Sequence, residues 1–204
     1  MNEKTVKNHT KDVIIIIVVI IAIIPLIYGY NLQSIAIITC NFNLIAVLAL
    51  GLVILFLLGR LIFSTLLDEK SISLMENHDM IDSFIKKNQK WSKWFIFPLT
   101  MLMEELIFRF YAISIIIDLI KLSPFLAVII SSSIFAVYHI HFWIRLKNFR
   151  IFISFFILSF FLGLLNGYAF IYFGLLACFI IHYGMAFELY FYLYRRFYVK
   201  KQKR

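Results

Sequence analysis

Long apolar runs dominate the chain, separated by short polar breaks. The runs predict membrane-spanning helices near Val13–Tyr30, Leu44–Phe63, Trp94–Ile117, Pro124–Phe142, Ile151–Phe170 and Gly174–Tyr194. Each is close to the about 20 apolar residues a helix needs to cross a bilayer. The period-2 alternation of a membrane β-barrel is absent from the sequence. Only three Pro and seven Gly occur, which predicts long helices. The fold class expected is all-α, a polytopic transmembrane helical bundle of about six spans. The one long polar stretch is Leu66–Lys93. Within it Met80, Ile81, Phe84 and Ile85 recur at helical spacing beside Lys86, Lys87 and Lys90. That pattern predicts an amphipathic interfacial helix over 78–92, with Trp91 and Trp94 in the aromatic belt. The chain thus divides into two N-terminal spans plus the amphipathic segment (1–93), a helical core (94–194) and a basic tail (195–204).

Composition sharpens this picture. The chain is 63% hydrophobic and 15% charged, whereas a soluble domain is about 45–50% apolar and about 25% charged. A disordered chain, a nucleic-acid-binding arm and an ordinary soluble domain are excluded. The net charge of +9 is explained by placement. All but Lys121 and Arg109 of the 20 Lys and Arg fall at one end of the predicted stack, together with both termini. The positive-inside rule puts that end in the cytoplasm. An integral protein of the cell membrane is expected, with its tail against anionic headgroups and no nucleic-acid partner. Cys40 and Cys178 are far apart in sequence and read as small apolar residues.

Ionisable groups inside a bilayer are costly and mark function by default. They are few here: Glu104, Glu105 and Arg109 in the third predicted span, His139 in the fourth, His182 and Glu188 in the sixth. At about 1.5 Å per residue, Glu104 lies about 15 Å from the cytoplasmic end of its helix, His182 about 18 Å and His139 roughly 5 Å. The three side chains can therefore converge in the cytoplasmic half of the membrane. Glu105 and Arg109 are four apart and pair along one helix face. Glu104 is then left without that partner. A desolvated, unpaired carboxylate has the basicity a general base needs near neutral pH. The structural alternative is one buried ionic cluster that fixes helix packing. His141 and Glu188 are expected at the interface. One Glu and two His can hold a metal ion or can activate water directly. No HExxH is present.

These residues resemble a known family, the CAAX prenyl-protease and bacteriocin-processing intramembrane proteases (CPBP, or Abi). Its pattern is EExxxR, then FxxxH, then HxxxN or a similar residue, on successive helices. The first motif reads Glu104-Glu105-Leu-Ile-Phe-Arg109, the second Phe135-Ala-Val-Tyr-His139 and the third His182-Tyr-Gly-Met-Ala186. The glycines Gly163, Gly167 and Gly174 resemble the family's approach to the last histidine. The resemblance covers about 94–190. It implies that Glu104 activates water with His139, that His182 polarises the scissile carbonyl, and that Glu105 and Arg109 support the site. It leaves the cofactor open: a divalent metal such as zinc on Glu104, His139 and His182, or none. The substrate implied is a peptide or a membrane-anchored protein. Ala186 departs from the pattern, because alanine cannot donate a hydrogen bond. Tyr183, Asn166 and Glu188 are candidates to replace it.

The function expected is an intramembrane endopeptidase acting near the cytoplasmic face, in CAAX-type processing, peptide maturation or bacteriocin self-immunity. The alternative is a catalytically weak or inactive membrane immunity or binding protein. A proton-coupled carrier is disfavoured, because the polar residues are confined to three helices and no Gly- or Pro-broken helix pair is visible.

Overall fold

A computed structural model describes residues 3–38, 41–75 and 91–202. Among the described residues the chain is helical throughout and has no strand, as the sequence predicts. Helix α1 is Glu3–Ile27, α2 Phe42–Thr65 and α3 Glu69–Met75. Helix α4, Trp91–Glu105, passes through a π turn, Leu106–Tyr111, into α5, Ala112–Asp118. Then follow α6, Pro124–Tyr138; α7, Ile140–Leu146; α8, Phe149–Phe173; and α9, Leu175–Gln202. Cys40, His78 and most of the expected amphipathic segment 78–92 lie outside the described residues.

Short polar residues start several helices. Asn41 accepts from the Asn43 and Leu44 amides. Ser123 accepts from Leu126 N, with Pro124 in the first turn. Asn148 accepts from Ile151 N. Each satisfies an amide that the helix itself cannot. Helix α8 ends at Gly174, whose φ of 84° turns the chain into α9. A side chain there would meet Ser34 O at 2.8 Å, so glycine is required both for the backbone conformation and for the close approach.

Among the described residues, five stretches are long and apolar enough to cross a membrane: Thr10–Ile27, Phe42–Thr65, Pro124–Leu146, Phe149–Phe173 and Leu175–Arg196. The remaining expected span, Trp94–Ile117, differs. It is helical from Trp91 to Asp118, but the π turn divides it and it carries Glu104, Glu105 and Arg109. At about 1.5 Å per residue the run still reaches roughly 40 Å, enough to cross. The Pro124–Leu146 stretch is also divided, at His139 between α6 and α7. Neither break sits on a Gly or Pro, and the two fall in the spans that carry the first two motifs.

Helix α8 is the hub, packed against α6, α9 and α2. Small residues allow this. A Cβ on Gly163 would meet Ser132 Cβ at 2.8 Å, and one on Gly167 would meet Val128 Cγ1 at 2.5 Å. Without a hydrophobic drive between helices in lipid, such close backbone contact is what holds a bundle together. Helix α1 packs mainly on α4, through Ile15 and Val19 against Met103. Its apolar outer face is exposed as lipid-facing surface.

Candidate active site

The breaks in α4 and α6 place the polar residues. The π turn directly follows Glu104 and Glu105 and contains Arg109. A π turn leaves its carbonyls poorly matched to the α-helical ladder. The buried Ser131 of α6 donates its hydroxyl to Phe108 O within the turn. The second break turns the chain at His139, whose ring sits at the junction. His139 Nδ1 is 2.9 Å from Phe135 O. A carbonyl only accepts, so Nδ1 carries the proton and Nε2 of the neutral ring is an acceptor. The His139 ring stands edge-on to Phe135 at 4.9 Å and near-parallel to Phe142 and Phe155.

Behind the site is a sealed network. Glu105 and Arg109 are both 0% exposed. Arg109 Nε lies 3.2 Å from Glu105 Oε2, the i,i+4 pair expected. This is a charge contact, because neither atom completes an aligned hydrogen bond. The guanidinium also lies over the Phe135 ring, 4.2 Å from its centroid, a cation–π placement. Glu105 Oε1 takes His182 Nδ1 at 2.6 Å. The buried Asn166 amide lies within reach of Glu105 and donates to Cys178 O at 3.3 Å. Cys178 is buried and turns its thiol to the carbonyls of Asn166 and Gly174.

Glu104 points the other way. Its Oε2 is 3.6 Å from His182 Nε2, just outside hydrogen-bond range. Glu104 is therefore not isolated, as the pairing argument expected: one imidazole sits between the two glutamates. Glu104, His139 and His182 all line a single cavity of about 1000 Å³. Its walls include Phe63, Phe155, Leu158, Leu162, Leu189 and Leu193. Thr10, Lys11, Asp12 and Arg145 line it as well, so α1 forms part of the wall.

Among the described residues, no three His, Cys, Asp or Glu side chains converge where a metal ion would be held. Glu104, His139 and His182 share the cavity but are not gathered as a ligand set. His182 commits Nδ1 to Glu105 and turns Nε2 against Glu104.

Ala186 lines the cavity one helical turn from His182. Of the candidates to replace its missing donor, Asn166 is behind Glu105 and Tyr183 packs on Phe97, Phe179 and Phe187. Glu188 pairs with Arg60 of α2 at 2.8 Å. None of the three lines the cavity.

A family model described as type II CAAX prenyl endopeptidase Rce1-like matches residues 87–187. Over these residues the chain is similar to the Rce1-like family. No curated protein and no solved structure matches the chain. The Rce1-like match runs from before α4 to the residue after Ala186, and so takes in all three motifs. The family is one of proteases in membranes, and the cavity lies within its matched helices apart from its α1, α2 and C-terminal lining.

Two cavity residues escaped the sequence reading. The sequence places His141 at the interface, because two residues along a continuous helix point nearly opposite ways. The break at His139 removes that continuity, and His141 lines the cavity with its ring centroid 5.7 Å from that of His139. Tyr138 lines it too, its ring against Phe108, His139 and His141. The tyrosine inside the FxxxH motif was the available signal.

Proposed function

We propose that the protein is a metal-independent, glutamate-type intramembrane endopeptidase. It hydrolyses a peptide bond in a prenylated CAAX-type or other membrane-anchored substrate near the cytoplasmic face. Both termini face the cytoplasm in this reading, on the positive-inside argument. The observation that carries it is the meeting of Glu104 and His182 on the wall of the cavity that His139 also lines.

The chemistry follows from the donor and acceptor inventory. Glu104 takes a proton from a water molecule, and His139 Nε2 accepts from the same water and orients it. The water oxygen bonds to the scissile carbonyl carbon, and the carbonyl π pair moves to its oxygen. His182 donates to that oxygen from Nε2 when this atom is protonated. Glu105 holds Nδ1 and so fixes the ring orientation. Collapse of the tetrahedral species breaks the C–N bond, and the leaving amine takes the proton held by Glu104. A positioned base contributes about 10²–10⁴-fold. The apolar walls suit a lipid-anchored segment and keep bulk water from the charged groups, which strengthens their interactions.

The test is cleavage of a farnesylated CAAX peptide by the protein in proteoliposomes, with and without a strong chelator. Chelator-insensitive cleavage is expected. Cleavage lost on chelation and restored by zinc contradicts the glutamate-type assignment. The departure at Ala186 supports a second reading, a binding or immunity protein without hydrolytic activity. In that case the wild type leaves the peptide intact, and any protection it gives a cell survives Glu104→Gln.

A further inference from the structure

The proposed reaction develops negative charge on the carbonyl oxygen, and such a site needs preorganised donors aimed at it. Glu104, His139 and His182 themselves supply few. Glu104 is an acceptor when ionised. His139 has spent its Nδ1 proton on Phe135 O, which leaves an acceptor facing the cavity. His182 has committed Nδ1 to Glu105. Position 186, one helical turn from His182 on the same wall, is alanine. A phenol hydroxyl is a donor at neutral pH and stands on a rigid ring.

Tyr138 has the placement this role needs. It lines the cavity with Glu104, His139, His182 and Ala186. Its ring is wedged by Phe108 at 5.5 Å, His139 at 5.6 Å and His141 at 5.2 Å between centroids. Its hydroxyl is within electrostatic range of the Glu104 carboxylate. Thr100, another cavity hydroxyl, is turned back onto Ile96 O.

We propose that Tyr138 is a catalytic residue, its hydroxyl supplying to the developing oxyanion the hydrogen bond that Ala186 cannot. This rests on the hydrolytic reading above. In the step, the phenol keeps its proton and only donates a hydrogen bond. The bonds formed and broken are those of the hydrolysis, and the proton travels from water to Glu104 to the leaving amine.

The experiment measures kcat and KM on the farnesylated CAAX peptide for wild type, Glu104→Gln, Tyr138→Phe, Ala186→Asn and the double variant Tyr138→Phe/Ala186→Asn. Tyr138→Phe keeps the ring and its packing, so thermal unfolding should match wild type. Its kcat is expected to fall about 10²–10³-fold, the usual loss for one oxyanion donor, with KM within about threefold. Ala186→Asn in the Tyr138→Phe background should restore at least a tenth of the wild-type kcat. Wild-type kcat in Tyr138→Phe overturns the proposal, as does a loss confined to KM. A kcat loss that Ala186→Asn does not rescue also overturns it, since the phenol is then not replacing that donor. Glu104→Gln separates the two levels. If it stays active, the hydrolytic reading itself fails. If it is inactive while Tyr138→Phe is normal, only the role of Tyr138 fails.

Discussion

Glu104 and Glu105 are neighbours in sequence and occupy two different regions. Glu105 belongs to the sealed network behind the site, where Arg109 and His182 hold it at 3.2 and 2.6 Å and Asn166 lies within reach. Glu104 faces the cavity, with His182 Nε2 at 3.6 Å. Both are buried carboxyl groups on one helix. The difference lies in whether other side chains complete the site or leave it open to a substrate. A charge surrounded by fixed partners stabilises an arrangement of helices. A charge on a cavity wall is available for chemistry. His182 joins the two regions, with one nitrogen on each glutamate, so the network behind sets the orientation of the ring in front.

The comparison breaks most visibly through Glu104→Gln. This change keeps shape and removes a base, so proteolysis should fall by about 10²–10⁴-fold, with thermal unfolding in detergent unchanged. Arg109→Leu should do the opposite. Removing one partner of a buried ion pair costs about 3–5 kcal/mol, because the other charge is left buried and unmatched. The expected result is lower yield and a lower unfolding temperature, with activity lost only as folded protein is lost. A stable, inactive Arg109→Leu variant would move Arg109 from the network to the chemistry.

Gly167→Val sharpens the comparison from the scaffold side. The added side chain meets Val128 Cγ1 at 2.5 Å from its Cβ position. Overpacking of this kind costs about 1–3 kcal/mol, read as a reduced unfolding temperature. The smallest effect is expected at Asp68, on the loop between α2 and α3. Its carboxylate accepts from Ser71 N at 2.8 Å and lies 3.1 Å from Arg150 Nη1. The Ser71 hydrogen bonds, with lesser help from Arg150 and Lys70, hold this carboxyl below the ordinary carboxylate range. A depressed folded-state value means that stability is present above about pH 4 and is lost as pH falls through the folded value. Asp68→Asn should flatten the acid limb of an unfolding-temperature profile and leave the neutral region nearly unchanged.

Much of this site was legible because a charge in an apolar run is a strong signal. Glu104, Glu105, Arg109, His139 and His182 stand out in the sequence for that reason. The i,i+4 pairing of Glu105 with Arg109 followed from helix geometry, and the structure has it. What was not legible was cross-helix position and the breaks in the helices. Helical-wheel arithmetic assumes about 100° per residue, and it fails at the π turn and at His139. His141 is the residue that this error hid, whereas Tyr138 ends α6 ahead of the break. The buried contact of Asn166 with the Glu105 network depends on α8 packing behind α4, and nothing local in sequence encodes that. Glu188 shows the same limit from the other side. Its pairing with Arg60 joins α2 to α9 and takes it away from the chemistry.

The most direct test is the rate at which wild type and Glu104→Gln cleave a farnesylated CAAX peptide in proteoliposomes, with thermal unfolding measured on the same preparations. The account predicts cleavage by wild type, a loss of at least about 10² in the variant, and the same unfolding temperature for both. Equal cleavage by the two proteins would contradict it. So would an unfolding temperature that falls in step with activity, because Glu104 would then belong to the sealed network and not to the cavity.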